Sequence, residues 1–241
     1  MAGTVNQTLP GKVDGRLAAP LSWVFALRCV VCGEAGVDGA DLCEPCHAAL
    51  PWHGPACPRC ALPMPSTETC GACLQRPPPL TKAHAVFHYA FPLDRLLPRL
   101  KFHRDLAAGR VLARAMAEHC APLSHPDALL PVPLHGARLR QRGYDQAVEL
   151  AVPLSRALQL PLLDCALRRR KTTTAQSRLD AGARQRNLRG AFAVTGAQVL
   201  PAHVVLVDDV MTTGATLHAA AHALLSAGVQ RVDAWVCARV A

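Results

Sequence analysis

No apolar run in this 241-residue chain approaches the ~18–20 residues that a membrane-spanning helix needs. The nearest thing to a secretory core is LAAPLSWVFAL at 17–27. Pro20 and Ser22 interrupt it, and Arg28 follows instead of a small-residue cleavage site. A cytoplasmic protein without membrane insertion is expected, in which thiols stay reduced and paired cysteines signify metal. The chain also lacks a long internal repeat, a G-x-G-x-x-G and a G-x-x-x-x-G-K-[ST]. Neither a dinucleotide fold nor a P-loop is therefore indicated. Apolar residues are not lacking. They make up 51% of the chain, which excludes a disordered protein and allows one sizeable α/β domain plus a small module.

Acidic residues are scarce and unevenly placed. There are 17 against 26 lysines and arginines, a formal net charge of +9. Residues 1–80 carry five basic and six acidic residues, whereas 138–189 carry twelve basic and four acidic ones. The positive potential therefore belongs to one region of the larger domain, where it suits a polyanion: nucleic acid or a phosphorylated small molecule.

Eight of the eleven cysteines form four Cys-x-x-Cys pairs: Cys29 and Cys32, Cys43 and Cys46, Cys57 and Cys60, Cys70 and Cys73. Ten, ten and nine residues separate successive pairs. One such turn aims two thiolates at a point, and two turns complete a tetrahedral sulfur site suited to Zn²⁺. Disulfides lack a secretory signal to support them, and ribbon-like spacing disfavours iron–sulfur ligation. Sequential pairing, with Cys29, Cys32, Cys43 and Cys46 on one zinc and Cys57, Cys60, Cys70 and Cys73 on the other, is favoured. A cross-braced arrangement fits the same spacing. So short a segment buries little core, and the metals are expected to fold it. Its charge is net negative, which argues against strong DNA contact through the module. Cys120, Cys165 and Cys237 lie in apolar surroundings and read as core.

RPPPL at 76–80 reads as a stiff linker. The expected organisation is an extension over 1–24, a double zinc-ribbon module over 25–76, a proline-rich linker over 77–82 and the larger domain over 83–241. Beyond the linker, strand-like and helix-like segments alternate. AHAVFHYA (83–90), DALLPVPL (127–134), LPLLDCAL, GAFAV, HVVLVDD and RVDAWVCARV read as strands. Residues 92–102, 105–120, 144–159 (with Pro153 expected to kink it) and the ATLHAAAHALLSAG run closed by Gly228 read as helices. This alternation predicts an α/β fold, a mainly parallel sheet with helices on both faces, with ligands outside the carboxyl ends of the strands.

The stretch VVLVDDVMTTGATL, 204–217, concentrates the chemistry. A buried-type strand is expected to end at Asp208 and Asp209, and a threonine-rich turn leads into a helix. Free N–H groups at that helix start, the hydroxyls of Thr212, Thr213 and Thr216, and the backbone freedom of Gly214 suit a phosphate monoester. The aspartates would repel a phosphate. They make sense facing a neutral polyol or a metal at the ligand's other end, and a sugar phosphate has both ends.

This stretch resembles the binding motif for 5-phosphoribosyl-1-pyrophosphate (PRPP) of the type I phosphoribosyltransferases. The four cysteine pairs, RLLPRLKF (95–102), PVPLHGARLRQRGYDQA (131–147) and RRKTTTAQSRLDAGARQRNLRGAF (169–192) together resemble the ComF family, whose members are associated with natural competence and the use of external DNA. The resemblance implies a type I phosphoribosyltransferase-like fold with a double zinc-ribbon module. It implies that Asp208 and Asp209 take the ribose hydroxyls, and that Thr212, Thr213, Gly214, Ala215 and Thr216 wrap the 5′-phosphate. It places Arg138 and Arg142 toward pyrophosphate in a loop, with Lys171 or Arg170 reaching the same group. Residues 169–189 would form a closing segment in which Gln176, Arg184, Arg186 and Asn187 match the family pattern. Asp208, Asp209 and Arg142 would carry catalysis, with Mg²⁺ accompanying PRPP.

Lys101 matches a family lysine without an evident chemical role. Tyr144-Asp145 stands where the family often has Phe-Asn, and Asp145 is expected to cap the next helix rather than hold Mg²⁺. His135 falls in the pyrophosphate loop. His218 and His222, one helical turn apart, are expected on an exposed helix face. Three function classes follow: a phosphoribosyltransferase with an unread acceptor, a non-catalytic PRPP-binding factor in DNA uptake, and a PRPP-responsive regulator. Single-stranded DNA, through the basic 138–189 region, and competence or DNA-processing proteins are the implied partners.

Overall fold

In a computed structural model of the chain, the described residues are 27–241 apart from 38, 124, 171–189, 197 and 198. Strands β1 (Ala83–His88), β2 (Ala128–Pro131), β5 (His203–Met211) and β6 (Arg231–Arg239) form one sheet in the order β1-β6-β5-β2. Every neighbouring pair is parallel. The short strands β3 (Leu167–Arg169) and β4 (Phe192–Val194) form a separate antiparallel pair.

The apolar run of β5 has no polar face because both of its sides are covered. Val205 and Val207 pack with helices α3 (Leu93–Phe102), α4 (Leu106–Cys120) and α6 (Gln146–Leu158). Val204 and Leu206 pack with α7 (Ala215–Ser226) and the β3–β4 pair. The expected parallel sheet with helices on both faces is what the chain forms. No helix among the described residues is long and apolar enough to cross a membrane.

Three local expectations change. β5 does not end at Asp208. It runs on to Met211 because β6 continues beside it, pairing Asp208 with Val236, Val210 with Ala238 and Met211 with Arg239. β2 stops earlier, with Pro131 opposite Val207, so the aspartates are held on one side and open on the other. The segment expected as a pyrophosphate loop contains helix α5 (Gly136–Arg142). His135 Nδ1 caps it by accepting from the Ala137 N–H, and Gly143 closes it in the left-handed conformation, φ 82°. Within LPLLDCAL only Leu162 bridges to the main sheet, at Leu129, and strand β3 begins at its last residue, Leu167. Helix α6 includes Pro153 and runs to Leu158.

The cysteine-rich module, which contains the short helices α1 (Glu44–Ala48) and α2 (Gly71–Gln75), packs directly on the sheet. The His53 N–H donates to Val86 O at 2.9 Å and the His88 N–H donates to Pro51 O at 2.8 Å. The Trp52 and Phe87 rings meet 4.8 Å apart. Arg110 pairs with the buried Asp41 at 2.7 Å. RPPPL does not act as a spacer: Pro78 and Leu80 are buried, and the Thr81 N–H donates to Val232 O.

Candidate functional site

Each Cys-x-x-Cys turn brings its two sulfurs together, and folding pairs the turns sequentially. The sulfurs of Cys29, Cys32, Cys43 and Cys46 lie within 4.8 Å of one another, as do those of Cys57, Cys60, Cys70 and Cys73. Cys32 Sγ stands 3.6 Å from Cys43 Sγ, and Cys60 Sγ stands 3.8 Å from Cys70 Sγ. A tetrahedron with Zn–S bonds near 2.3 Å has edges of about 3.8 Å, so the donor sets fit zinc. Burial pushes the thiols of Cys29 and Cys57 up, but backbone N–H groups outweigh it and hold them at about 6 and about 7. The cross-braced alternative is excluded by this geometry, and none of the eight sulfurs is in a disulfide.

The second site lies where the carboxyl end of β5 passes the end of β2. A cleft of ≈170 Å³ is lined there by Asp208 and Asp209, by Arg138 and Arg142 from α5, by Asp145, and by Thr216 at the start of α7. Two residues without an assigned role join them: Lys101 from the last turn of α3 and Arg169 from β3. Lys101 Nζ meets Asp209 Oδ2 at 2.9 Å. This ion pair answers why Lys101 is present: it places a cation against one member of the acidic pair.

Lys101 acts on the other member too, but less than burial and Asp209 do. Burial, then the adjacent Asp209 and more weakly Asp145, push the Asp208 carboxyl up to about 8, although the Asp209 N–H and Lys101 act against the shift. Burial and Asp209 thus favour the protonated form of Asp208, and Asp209 is paired with Lys101. The doubled acid therefore presents far less negative charge than two free carboxylates would. Both effects reduce the repulsion that a doubled acid would exert on an anion.

Asp145 acts as a cap. Its Oδ1 accepts from the Ala147 N–H at 3.0 Å and its Oδ2 from the Leu134 N–H at 2.7 Å, so both oxygens are occupied. Burial raises its pKa, and the Asp209 charge adds to the effect. Arg142 is held from two sides: it donates to Gln146 Oε1 at 2.7 Å and lies 5.0 Å over the Phe102 ring. Burial, then the nearby Arg138, lowers the Arg169 pKa, while Asp208 and Asp145 act in the opposite sense.

The turn after β5 leaves Thr212 and Thr213 exposed and Gly214 buried. Gly214 is the residue before α7, with φ 74°, which an L side chain rarely adopts. A Cβ there would also stand 2.7 Å from Met211 Cε and 3.0 Å from His218 Nε2. His222 is exposed as expected, but His218 is not. Its buried Nε2 faces Gly214 without a hydrogen-bond partner among the described residues, and burial lowers its pKa to about 4. Lys171, Gln176, Arg184, Arg186 and Asn187 lie outside the described residues.

Arg169 was missed because RRRK at 168–171 does not reveal which arginine points inward. The short pairing of β3 with β4 decides it, leaving Arg168 and Arg170 exposed and Arg169 half-buried.

Residues 20–74 match the family described as double zinc ribbon domain, and residues 144–241 match the phosphoribosyl transferase domain. Competence protein F of Haemophilus influenzae is 36% identical over 225 residues, covering 89% of this chain and 98% of that protein. DNA utilization protein YhgH of Escherichia coli K12 is 37% identical over 205 residues, covering 82% of this chain and 90% of that protein. Competence protein ComFC of Bacillus subtilis is 27% identical over 244 residues, covering 94% and 92%.

Proposed function

We propose, from the fact that this chain belongs to the ComF family of competence and DNA-utilization proteins, that its C-terminal domain binds PRPP, and that its chemistry is transfer of the 5-phosphoribosyl group to a nitrogen nucleophile. The observation that carries this reading is one cleft in which Asp208 and Asp209, the start of α7 and the side chains of Arg138, Arg142 and Arg169 converge. In this reading Asp208 and Asp209 accept the ribose hydroxyls. Thr212, Thr213, Gly214, Ala215 and Thr216 supply N–H and O–H donors to the 5′-phosphate. The three arginines face the pyrophosphate, to which the family resemblance adds Lys171 and Arg184 from outside the described residues.

Mg²⁺, if bound with PRPP, would supply positive charge to the pyrophosphate. Of the carboxylates lining the cleft, Asp208 is the one that would be available to hold the ion. The chain's own contribution is position and charge. Arg142, fixed by Gln146 and Phe102, presents a pre-aimed guanidinium, and Lys101 keeps Asp209 compatible with a nearby anion.

A second reading is a non-catalytic PRPP-binding factor that also binds single-stranded DNA. A specific observation favours it: beside the cleft, a groove of ≈630 Å³ is lined by Arg140, Arg168, Arg169 and Arg170. The two are separated by incubating the protein with PRPP, Mg²⁺ and a panel of nucleobases while measuring pyrophosphate release. Release with one base establishes the transferase. PRPP binding without release across the panel favours the second reading, for which DNA affinity should fall steeply with salt and flatten when the groove arginines are removed. Absence of PRPP binding refutes both.

A further inference from the structure

Arg239 is a buried cation without a carboxylate partner among the described residues. A lone buried charge of this kind is costly, and it persists only where something compensates it. Its guanidinium is spent on main-chain carbonyls. Nε donates to Cys60 O at 3.0 Å, and Nη1 donates to Met211 O at 3.3 Å and to Val240 O.

Two of these carbonyls stand at informative places. Cys60 is a ligand of the second cysteine cluster. Met211 is the last residue of β5, immediately before Thr212 and the proposed phosphate turn. The backbone of Arg239 is fixed independently, in register with Met211 on one side and with His88 on the other. The guanidinium is therefore a rigid brace between the two sites. Four thiolates around one Zn²⁺ also carry a net charge of −2, which supplies the counter-charge that no carboxylate provides.

We propose that Arg239 is a positioning residue that couples the second zinc site to the phosphate turn, so that zinc in the Cys57–Cys73 cluster and PRPP in the cleft strengthen each other's binding. This rests on the reading of the cleft as a PRPP site. Arginine is required because its planar fork serves two acceptors at once, whereas lysine presents a single compact head.

Linkage makes the coupling testable from the zinc side. Whatever factor zinc adds to PRPP affinity, PRPP adds to zinc affinity. The full-length zinc-loaded protein is equilibrated with a chromophoric chelator, with and without saturating PRPP and Mg²⁺, while calorimetry measures PRPP binding separately. The expected result is that PRPP shifts the retention of one of the two zinc ions by about fivefold or more. In Arg239→Lys, still carrying two zinc ions and melting cooperatively, the shift is abolished and PRPP affinity falls by a matching factor. Unchanged zinc retention in the wild-type protein, with calorimetry showing PRPP bound, overturns the coupling and leaves the cleft assignment standing. A shift that persists in Arg239→Lys overturns the role of Arg239. No PRPP binding by the wild-type protein removes the cleft assignment and the coupling together. If Arg239→Lys does not fold, Arg239→Gln takes its place under the same criteria.

Discussion

Asp208→Asn should stabilise the ligand-free protein in alkaline solution while weakening PRPP binding. The Asp208 carboxyl is raised from 3.8 to about 8, first by burial and then by Asp209. The folded state therefore holds this proton more tightly than the unfolded chain. The resulting stability is complete below the unfolded value and is lost as pH rises toward the folded one, at up to about 1.4 kcal/mol per pH unit. Between pH 5 and pH 9 the ceiling is about 4 kcal/mol. Asp208 is partly open to the cleft, so solvent relaxes part of the burden and about 2 kcal/mol is the working figure. Asparagine keeps an oxygen for the Asp209 N–H, which Asp208 Oδ1 accepts at 2.9 Å, and cannot ionise.

Urea unfolding at constant zinc, run on both proteins at pH 5 and pH 9, measures the effect. The variant's advantage should widen by about 2 kcal/mol over that range, or about 4–8 °C in Tm. Parallel pH profiles would refute the assignment of the raised carboxyl to Asp208. A widened gap with undiminished PRPP affinity would instead refute its role toward ribose.

Lys101→Met removes the cation 2.9 Å from Asp209; PRPP affinity by calorimetry should fall about tenfold, and Lys101→Arg should recover most of it. Gly214→Ala forces a left-handed φ of 74° on an L residue and pushes a methyl toward Met211 Cε. It should cost about 1–2 kcal/mol in urea unfolding and reduce PRPP binding by more than that loss explains. Cys57→Ser should lower the zinc content from two ions to one by metal analysis, with Cys29, Cys32, Cys43 and Cys46 retaining theirs.

Much of the site could be read from residue order because its parts are local. A Cys-x-x-Cys turn converges two sulfurs whatever surrounds it, and an apolar strand running through Asp208-Asp209 into a threonine turn contains its own geometry. What could not be read depends on distant partners. Pair spacings of ten, ten and nine residues permit two zinc pairings, and only the folded module selects one. β5 passes the aspartates because β6, twenty residues onward, is long enough to accompany it. α5 carries little apolar periodicity, and it is His135 and Gly143 that define its ends. Lys101 lies more than one hundred residues from Asp209. Arg239 reads as a charge at the end of a strand, and its burial against Cys60 follows from docking of the module. His218 reads as surface from its spacing with His222, but the absence of a side chain at Gly214 gives its ring somewhere to enter.

The bonds from His53 to Val86 and from His88 to Pro51 have a consequence for solubility. β1 is the outermost strand of the sheet on its side, and an uncovered outer strand invites pairing with another chain. The cysteine module occupies that margin, with Trp52 bridged to Phe87. On the opposite margin Leu129 is engaged by Pro161 and Leu163. A version shortened to residues 77–241 would therefore bare a hydrogen-bonding strand as well as lose its metals. In size-exclusion chromatography it should elute as self-associated species, and a monomeric profile would show that β1 protects itself without the module.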